Sequence, residues 1–310
     1  MRLCVFTEPQ LGASYEDQLA IARRAEELGF EAFFRSDHYL STSGDGLPGP
    51  TDSWVTLGAL ARETSTIRLG TLVTSATFRL PGPLAIAVAQ VDAMSGGRVE
   101  LGLGTGWLER EHTAYGIPFP STPERFDRLT EQLEILRGLW TTPAGQTFSF
   151  EGRHYDVVDS PALPKPVQPA GPPIIIGGKG PKRTPRIAAR YADEFNVPFS
   201  SLEDTDAQYR RVVEAIEQEG RDGRAPIVFS FAQTIVCGRD DAEVRRRAEA
   251  LGLDPKEPQP GQLYGTPDRL AEQIRGFVKA GASRAFLQLL DLRDLDHLEL
   301  IASDLAPQLD

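Results

Sequence analysis

Residues 25–34 read AEELGFEAFF, and residues 278–287 read VKAGASRAFL. In both segments a helical pattern ends at a glycine, Gly29 in the first and Gly281 in the second, and an apolar strand pattern follows at once. Glycine is the usual residue at such a helix end because it adopts left-handed backbone angles at little steric cost. A helix end, a glycine and a strand form the joint between two βα units. The two stretches therefore predict that this unit repeats along the chain.

The rest of the chain continues the alternation of helix and strand. Apolar runs predict eight strands, nearly all separated by helical patterns, at residues 2–6, 30–35, 67–73, 99–103, 173–176, 194–197, 227–237 and 285–290. Eight such units in a chain of 310 residues are the expected number for a (β/α)8 TIM barrel. An open, doubly wound sheet is the alternative. We expect residues 1–310 to form a single TIM-barrel domain with insertions in the loops.

Three segments interrupt this alternation. Residues 37–52 are rich in Gly, Ser and Pro and follow a strand directly, which makes them a candidate lid, because barrel active sites form where strands end. Residues 141–172 carry six prolines and a predicted hairpin, and residues 253–267 form a Pro-rich loop. The last two segments follow helices. Two alternatives therefore remain for each of them: packing on the outside of the barrel, or forming a lid over the active site.

Composition excludes several classes of protein. The net charge of −11 opposes binding to nucleic acid, and no apolar run approaches the roughly 20 residues of a membrane span. Cys4 and Cys237 both lie within apolar runs, which predicts two buried, reduced thiols and a cytoplasmic protein.

Residues 102–112 read GLGTGWLEREH and begin like a dinucleotide-binding loop. The GxGxxG fingerprint requires a third glycine where this chain has Trp107, and it belongs on a first strand rather than a fourth. A nicotinamide site is therefore disfavoured. Alternate glycines let a flat group or a phosphate approach the backbone, and Trp107 offers a flat face beside it. A tight turn with nothing bound is the alternative.

Residues 174–190 read IIIGGKGPKRTPRIAAR. An apolar strand pattern is followed by the four residues Gly177, Gly178, Lys179 and Gly180, and a helical pattern begins after them. Backbone amides at a helix N-terminus and nearby cations predict a phosphate site, with a solvated helix face as the alternative. The cations are Lys179, Lys182, Arg183, Arg186 and Arg190.

Two further groups of residues suggest chemistry. At the end of the second strand, Asp37 and His38 place a carboxylate beside an imidazole, a pair that can orient and transfer protons. Glu109-x-x-His112 and Glu151-x-x-His154 have the spacing of a carboxylate metal site, but the second pair falls in the predicted hairpin rather than on a helix. We expect no metal site.

The order and spacing of six segments resemble the luciferase-like monooxygenase superfamily, (β/α)8 enzymes that bind flavin or its deazaflavin analogue F420. The segments are SDH (36–38), IRLGTLVTSATFR (67–79), GGRVELGLGTGW (96–107), ERFDRLTEQLEILRGLW (124–140), PIIIGGKGPKRTPRIAARYADEFN (173–196) and YGTPDRLAEQI (264–274). Among the branches of this superfamily, the chain is most similar to the F420-dependent oxidoreductases.

The resemblance implies roles for individual residues. Asp37 matches a carboxylate near the deazaflavin ring, and His38 matches a residue of proton transfer. Leu72 and Val73 match a non-proline cis peptide that supports the ring from behind. The remaining matches are positions that line the cofactor, Ser75, Thr105 and Gly106, and a phosphate loop, Gly177, Gly178, Lys179 and Gly180.

Trp107 marks a departure from part of the superfamily. Some F420-dependent sugar-phosphate dehydrogenases have a catalytic Glu at this position. Trp107 therefore argues against sugar-phosphate dehydrogenase activity, and Glu109 and His112 are only weak candidates to replace the missing catalytic acid. The resemblance otherwise implies that the substrate stacks near Trp107 and His38.

Three functions follow as hypotheses. The first is an F420-dependent oxidoreductase that transfers a hydride to or from a small organic substrate. The second is an FMN-dependent monooxygenase supplied with reduced flavin by a partner reductase. The third is a barrel without redox activity that binds an anionic ligand. The basic cluster gives slight weight to F420, whose tail carries a phosphodiester and several carboxylates. Resemblance also suggests a homodimer.

Overall fold

The computed structural model describes residues 1–42, 45–221, 223–254 and 259–309. Within these residues eight parallel strands pair side by side, and the last pairs with the first to close a ring. In ring order they are β1 (Arg2–Thr7), β2 (Ala32–Arg35), β3 (Arg68–Ser75), β4 (Val99–Gly104), β7 (Ile174–Gly177), β8 (Glu194–Pro198), β9 (Val228–Cys237) and β11 (Arg284–Leu289). The prediction of a (β/α)8 barrel is confirmed.

Helices surround the ring and bury their apolar sides against it. They are α1 (Tyr15–Glu27), α2 (Ser53–Glu63), α3 (Pro81–Ser95), α4 (Glu109–Ala114), α5 (Thr122–Thr141), α6 (Arg183–Tyr191), α7 (Leu202–Glu219), α8 (Asp241–Ala250), α9 (Pro267–Lys279) and α10 (Leu295–Leu300). The chain continues beyond α10 as a π-helical turn, Ile301–Leu305. None of the helices in the described part of the chain combines the length and apolar character needed to cross a membrane.

Helix α3 begins at Pro81, because a residue in the first turn of a helix needs no backbone N–H donor. The short helix α4 is absent from the sequence prediction and follows β4 after four residues. The glycine joints that suggested the repeat do adopt left-handed angles, with φ of 81° at Gly29 and 112° at Gly281.

The two later insertions have structure of their own. Within residues 141–172, β5 (Phe148–Glu151) and β6 (Asp156–Ser160) form an antiparallel pair that packs on α5. The prediction of a loop over residues 253–267 is wrong in part, since β10 (Gln262–Gly265) pairs in parallel with the end of β9. This pairing arises because β9 is ten residues long and extends beyond its partners β8 and β11. Residues 255–258 of that segment lie outside the described residues.

A buried ion cluster closes the end of the barrel where the strands begin. The guanidinium of Arg284 lies 2.6 Å from Glu100, 2.8 Å from Glu194 and 3.0 Å from Glu31. Arg68 joins the cluster through Glu100. Because these side chains fill the N-terminal end of the barrel, the open end is the C-terminal one, where TIM-barrel sites form.

Candidate active site

One cavity of about 340 Å³ opens at the C-terminal ends of the barrel strands. Phe6, Ser36, Gly104 and Pro198, from four different strands or strand ends, form parts of its wall. The cavity is also lined by ten of the twelve residues singled out from the sequence, namely Asp37, His38, Leu72, Val73, Ser75, Thr105, Gly106, Trp107, Gly177 and Gly178. The barrel therefore brings together residues that range from Asp37 to Gly178 in the sequence.

Asp37 is fully buried at the end of β2, and its two carboxylate oxygens differ. Oδ2 accepts a hydrogen bond from Thr74 Oγ1 at 2.9 Å and lies 2.5 Å from the guanidinium of Arg79. Oδ1 is buried and has no hydrogen-bond partner in the described part of the protein. A buried oxygen without a partner is costly unless a ligand supplies a donor. The cavity thus fits a ligand that carries an N–H or O–H group at this point.

His38 is held by a carboxylate that the sequence analysis did not select. Its Nδ1 lies 3.0 Å from both oxygens of Glu111, which is 1% exposed and also accepts the backbone N–H of Tyr39 at 3.0 Å. An ionised carboxylate only accepts hydrogen bonds, so Nδ1 carries the proton and Nε2 remains available to exchange one. Burial favours the neutral ring, but the hydrogen bond and charge of Glu111 outweigh burial and raise the pKa of His38.

Trp107 lies at the mouth of the cavity, with 66% of its surface exposed and its ring edge-on to His38 at a centroid distance of 5.6 Å. The two suggested substitutes for an acid at this position are excluded by their placement. Glu109 is exposed on α4 and does not line the cavity. His112 is buried away from it, with Nδ1 2.8 Å from the carbonyl of Leu108. Helix α4 turns Glu111 inward instead.

The glycines of GLGTGW differ in what surrounds them, and two of them, Gly104 and Gly106, line the cavity. A Cβ atom on Gly102 would lie 2.0 Å from the carbonyl oxygen of Thr71, and one on Gly104 would lie 2.9 Å from Val73. The Leu72–Val73 peptide bond is cis, and the register between β3 and β4 shifts between Thr71 and Thr74. Gly102 therefore makes room for the neighbouring strand, whereas Gly104 both fits closely against that strand and lines the cavity.

A smaller cavity of about 150 Å³ adjoins the first and is lined by Thr105 and by Gly177 through Gly180. Thr105, Gly177 and Gly178 line both cavities, so the two are adjacent. The N-terminus of α6 lies beside it, and no side chain caps that end of the helix. Uncapped backbone N–H groups favour an anion, which fits a phosphate.

The basic cluster near this cavity is largely neutralised by neighbouring helices. Arg183 pairs with Asp127, and the guanidinium groups of Arg186 and Arg190 lie 3.3 and 3.4 Å from carboxylates of α7 and α5. Lys179 lines the smaller cavity, but its ammonium group donates to the carbonyl of Phe199 at 2.7 Å. The surplus of positive charge expected from the sequence is therefore smaller in the folded protein.

Sequence reasoning missed several residues of the site, among them Glu111, Arg79 and Phe199. Glu111 lies in a run of polar residues. The sequence does not show where α4 begins, so it does not show which of these residues faces the cavity. Arg79 ends a segment used for the resemblance, but nothing in that segment shows that it reaches Asp37. Phe199 follows β8 and carries an unusual φ of 42°, which only the structure reveals.

Comparison with known proteins places this site in a family. Residues 1–262 match the family model described as luciferase-like monooxygenase. The chain belongs to this family. It is 41% identical over 173 residues to an F420-dependent glucose-6-phosphate dehydrogenase of Microbacterium testaceum, a match that covers 55% of this chain and 49% of the relative. It is also 31% identical over 280 residues to an uncharacterized protein of Mycobacterium tuberculosis, covering 86% of this chain and 92% of that one.

Similarity at the level of fold extends further. The chain superposes with a TM-score of 0.84 on a solved structure described as an F420-dependent secondary alcohol dehydrogenase in complex with an F420-acetone adduct. The two are 20% identical, and the match covers 100% of this chain and 99% of the other. At that identity the match shows the shared fold. The chain spans about half the length of the first curated relatives it matches.

Proposed function

We propose that this protein is an F420-dependent oxidoreductase that transfers a hydride between the deazaflavin and a small organic substrate. The observation that carries the proposal is a cavity that combines the unpaired Oδ1 of Asp37 with the His38–Glu111 pair and adjoins a glycine-lined cavity at a helix N-terminus. The names of the similar dehydrogenases support the same cofactor.

Each part of the site has a defined task in this proposal. Backbone amides of Gly177 through Gly180 would hold the phosphate, and Asp37 Oδ1 would accept a hydrogen bond from the ring system. Arg79 supplies a buried counter-charge to Asp37 at 2.5 Å. Leu72 and Val73 form the floor on which the ring would rest.

The cofactor, when bound, supplies an acceptor or donor of hydride. His38 would then exchange a proton with the substrate through Nε2. Trp107 would cover the substrate at the open side of the cavity, where an aromatic face 66% exposed in the free protein becomes buried.

Binding distinguishes this proposal from its alternatives. Purified protein is titrated with F420 and separately with FMN while cofactor fluorescence is followed. We expect F420 to bind at least tenfold more tightly than FMN, and Asp37→Asn to weaken F420 binding. Tighter binding of FMN would identify a monooxygenase, and binding of neither would identify a barrel without redox activity.

FMN is retained as the second candidate because of one observation. The arginines expected to attract a polyanionic tail are paired with acids on α5 and α7, which removes part of the reason for preferring F420. An FMN enzyme would need a reductase partner to supply reduced flavin. In either case we propose a cytoplasmic protein, consistent with two free, buried thiols, and we retain the homodimer as a prediction.

A further inference from the structure

Three polar side chains form a hydrogen-bond relay that begins at the wall of the main cavity and ends at a buried histidine. Ser75 lines the cavity, and its Oγ lies 2.6 Å from Oγ1 of Thr77. The same Thr77 oxygen lies 2.6 Å from Nε2 of His112. The other ring nitrogen of His112, Nδ1, lies 2.8 Å from the carbonyl oxygen of Leu108. Neither Thr77 nor His112 has a task in the proposed reaction.

The local structure holds the members of the relay in place. Ser75 ends β3, and Thr77 follows it in a turn that is closed by the N–H of Phe78, which donates to the carbonyl of Ser75 at 3.0 Å. His112 lies on α4 and is fully buried. Its ring packs against those of Phe78 and Phe119, at centroid distances of 5.0 and 4.5 Å. These aromatic neighbours keep the imidazole in the orientation that presents Nε2 to Thr77.

The direction of each hydrogen bond in the relay follows from its buried end. The carbonyl oxygen of Leu108 only accepts hydrogen bonds, so the ring proton of a neutral His112 is on Nδ1, and Nε2 accepts. The Thr77 hydroxyl has one proton, which it donates to Nε2, so its oxygen accepts the proton of Ser75. The only proton of the Ser75 hydroxyl is thus directed into the wall. Ser75 can therefore only accept hydrogen bonds from a molecule in the cavity.

Gly106 leaves the space that the two hydroxyl groups occupy. A Cβ atom at this position would lie 2.3 Å from Oγ of Ser75 and 3.1 Å from Oγ1 of Thr77. The φ of 77° at Gly106 is also one that glycine adopts at little steric cost. A side chain here would displace the hydroxyl pair. The last glycine of GLGTGW therefore fits the relay as well as the cavity.

The cavity offers a second group of the same polarity. Oδ1 of Asp37 is buried and has no hydrogen-bond partner among the residues that the structure describes. A bound molecule satisfies both groups only if it directs N–H or O–H donors at Asp37 and at Ser75. A carbonyl oxygen placed against Ser75 would meet lone pairs with no proton between the two oxygens, which is unfavourable.

We propose that His112 and Thr77 are positioning residues that hold the Ser75 hydroxyl as a hydrogen-bond acceptor toward the cofactor. The part that concerns F420 rests on the proposed function, whereas the tautomer of His112 is a property of the protein alone. No bond is made or broken in the relay, and each proton stays on its own atom. If the relay is interrupted at Thr77, the Ser75 hydroxyl is free to turn its proton toward the cavity.

The tautomer is tested by NMR of protein labelled with 15N in its four histidines. His112→Phe and His112→Gln each remove the resonances of this ring and thereby assign them. We expect the wild-type protein at neutral pH to carry a proton on Nδ1 and none on Nε2. Thr77→Val should move the Nε2 resonance downfield, because that nitrogen loses a hydrogen bond. A proton on Nε2 in the wild type would overturn the proposal, and so would an unmoved Nε2 resonance in folded Thr77→Val.

The effect on the cofactor is tested by a double-mutant cycle in which the Kd for F420 is measured by fluorescence. Thr77→Val keeps the shape of the side chain and is expected to raise Kd about three- to tenfold, the range for one neutral hydrogen bond. Thr77→Ser keeps the hydroxyl and should stay within about twofold of the wild type. In a Ser75→Ala background, Thr77→Val should change Kd by less than about twofold, because no hydroxyl is left to orient.

A matched control and the alternative outcomes complete the test. Thr113→Val makes the same chemical change on the exposed side of α4 and should leave Kd unchanged. An equal loss of affinity from Thr77→Val with and without the Ser75 hydroxyl would overturn the relay, because a purely structural role of Thr77 acts independently of Ser75. If the wild type binds FMN but not F420, the proposed function fails, and the same cycle measured with FMN decides the relay. Binding of neither cofactor would overturn both proposals.

Discussion

Replacing Glu111 by glutamine tests directly whether His38 is the proton-transfer residue. The change keeps the size of the side chain and one hydrogen-bond acceptor but removes the charge that faces Nδ1 at 3.0 Å. Both partners are well shielded from solvent, with side-chain exposures of 15% for His38 and 1% for Glu111. The interaction is therefore screened far less than a surface ion pair.

The size of the effect follows from the type of hydrogen bond that is lost. A hydrogen bond to a charged partner contributes about 1.5–3 kcal/mol, and a neutral one about 0.5–1.5 kcal/mol. The substitution therefore removes about 1–1.5 kcal/mol from the stability of the imidazolium, which corresponds to roughly a tenfold smaller protonated fraction at a given pH. Reduction of the substrate needs that proton, so kcat/KM for reduction at neutral pH is expected to fall by about tenfold.

The direction of the pH dependence provides the sharper readout. Glu111 raises the pKa of His38 against the opposing effect of burial, so the wild-type imidazolium persists to higher pH than it does in the variant. We expect the pH profile of kcat/KM for reduction to decline at lower pH in Glu111→Gln, and the profile for oxidation to rise at lower pH. Glu109→Gln, two positions away and exposed, should match the wild type. An unshifted profile in a Glu111→Gln protein that melts like the wild type would refute the role assigned to His38.

Three further predictions concern stability. Burial lowers the pKa of His297 to about 4. As the pH falls from about 6.5 to about 4, His297 is protonated in the unfolded chain but not in the folded protein, so up to about 3 kcal/mol of unfolding free energy is lost over this range. Urea unfolding measured across the same pH range should show a smaller loss for His297→Gln. Arg284→Met leaves Glu194 buried without the guanidinium that lies 2.8 Å from it and should lower the unfolding free energy by about 3–5 kcal/mol, measured from the urea midpoint, whereas an unchanged midpoint would show that the cluster is dispensable. Gly102→Ala places a Cβ 2.0 Å from a backbone oxygen of β3 and should cost about 1–3 kcal/mol and weaken F420 binding, while Gly82→Ala, which meets nothing within 4 Å, should do neither.

The sequence predicts the barrel because its signals are local. Periodic apolar positions and helix-ending glycines such as Gly29 and Gly281 depend on neighbours a few residues away, and they recur once per unit. The unpredicted strand β10 shows the limit of such signals. It forms because β9 extends beyond its barrel partners, and the length of β9 relative to β8 and β11 is a property of the closed ring rather than of either segment.

Part of the site was predictable for a related reason. Residues at strand ends, such as Asp37 and His38, must meet at one end of a parallel barrel, so knowing the fold is enough to bring them together. The partner of each residue was not predictable. Glu111 and Arg79 reach His38 and Asp37 across 73 and 42 positions of sequence, and no spacing rule connects them.

The sequence by itself determined the fold class, the family and ten of the residues that line the cavity, because repeats and motif order are encoded along the chain. Only the tertiary structure decided what those residues do. In the folded protein Glu111 rather than Glu109 faces the cavity, and the arginines of α6 pair with acidic residues of α5 and α7. Gly102 lies against the backbone of the neighbouring strand, where a Cβ atom would not fit. Charge compensation and steric fit act through space between distant segments, so they are settled only when those segments pack.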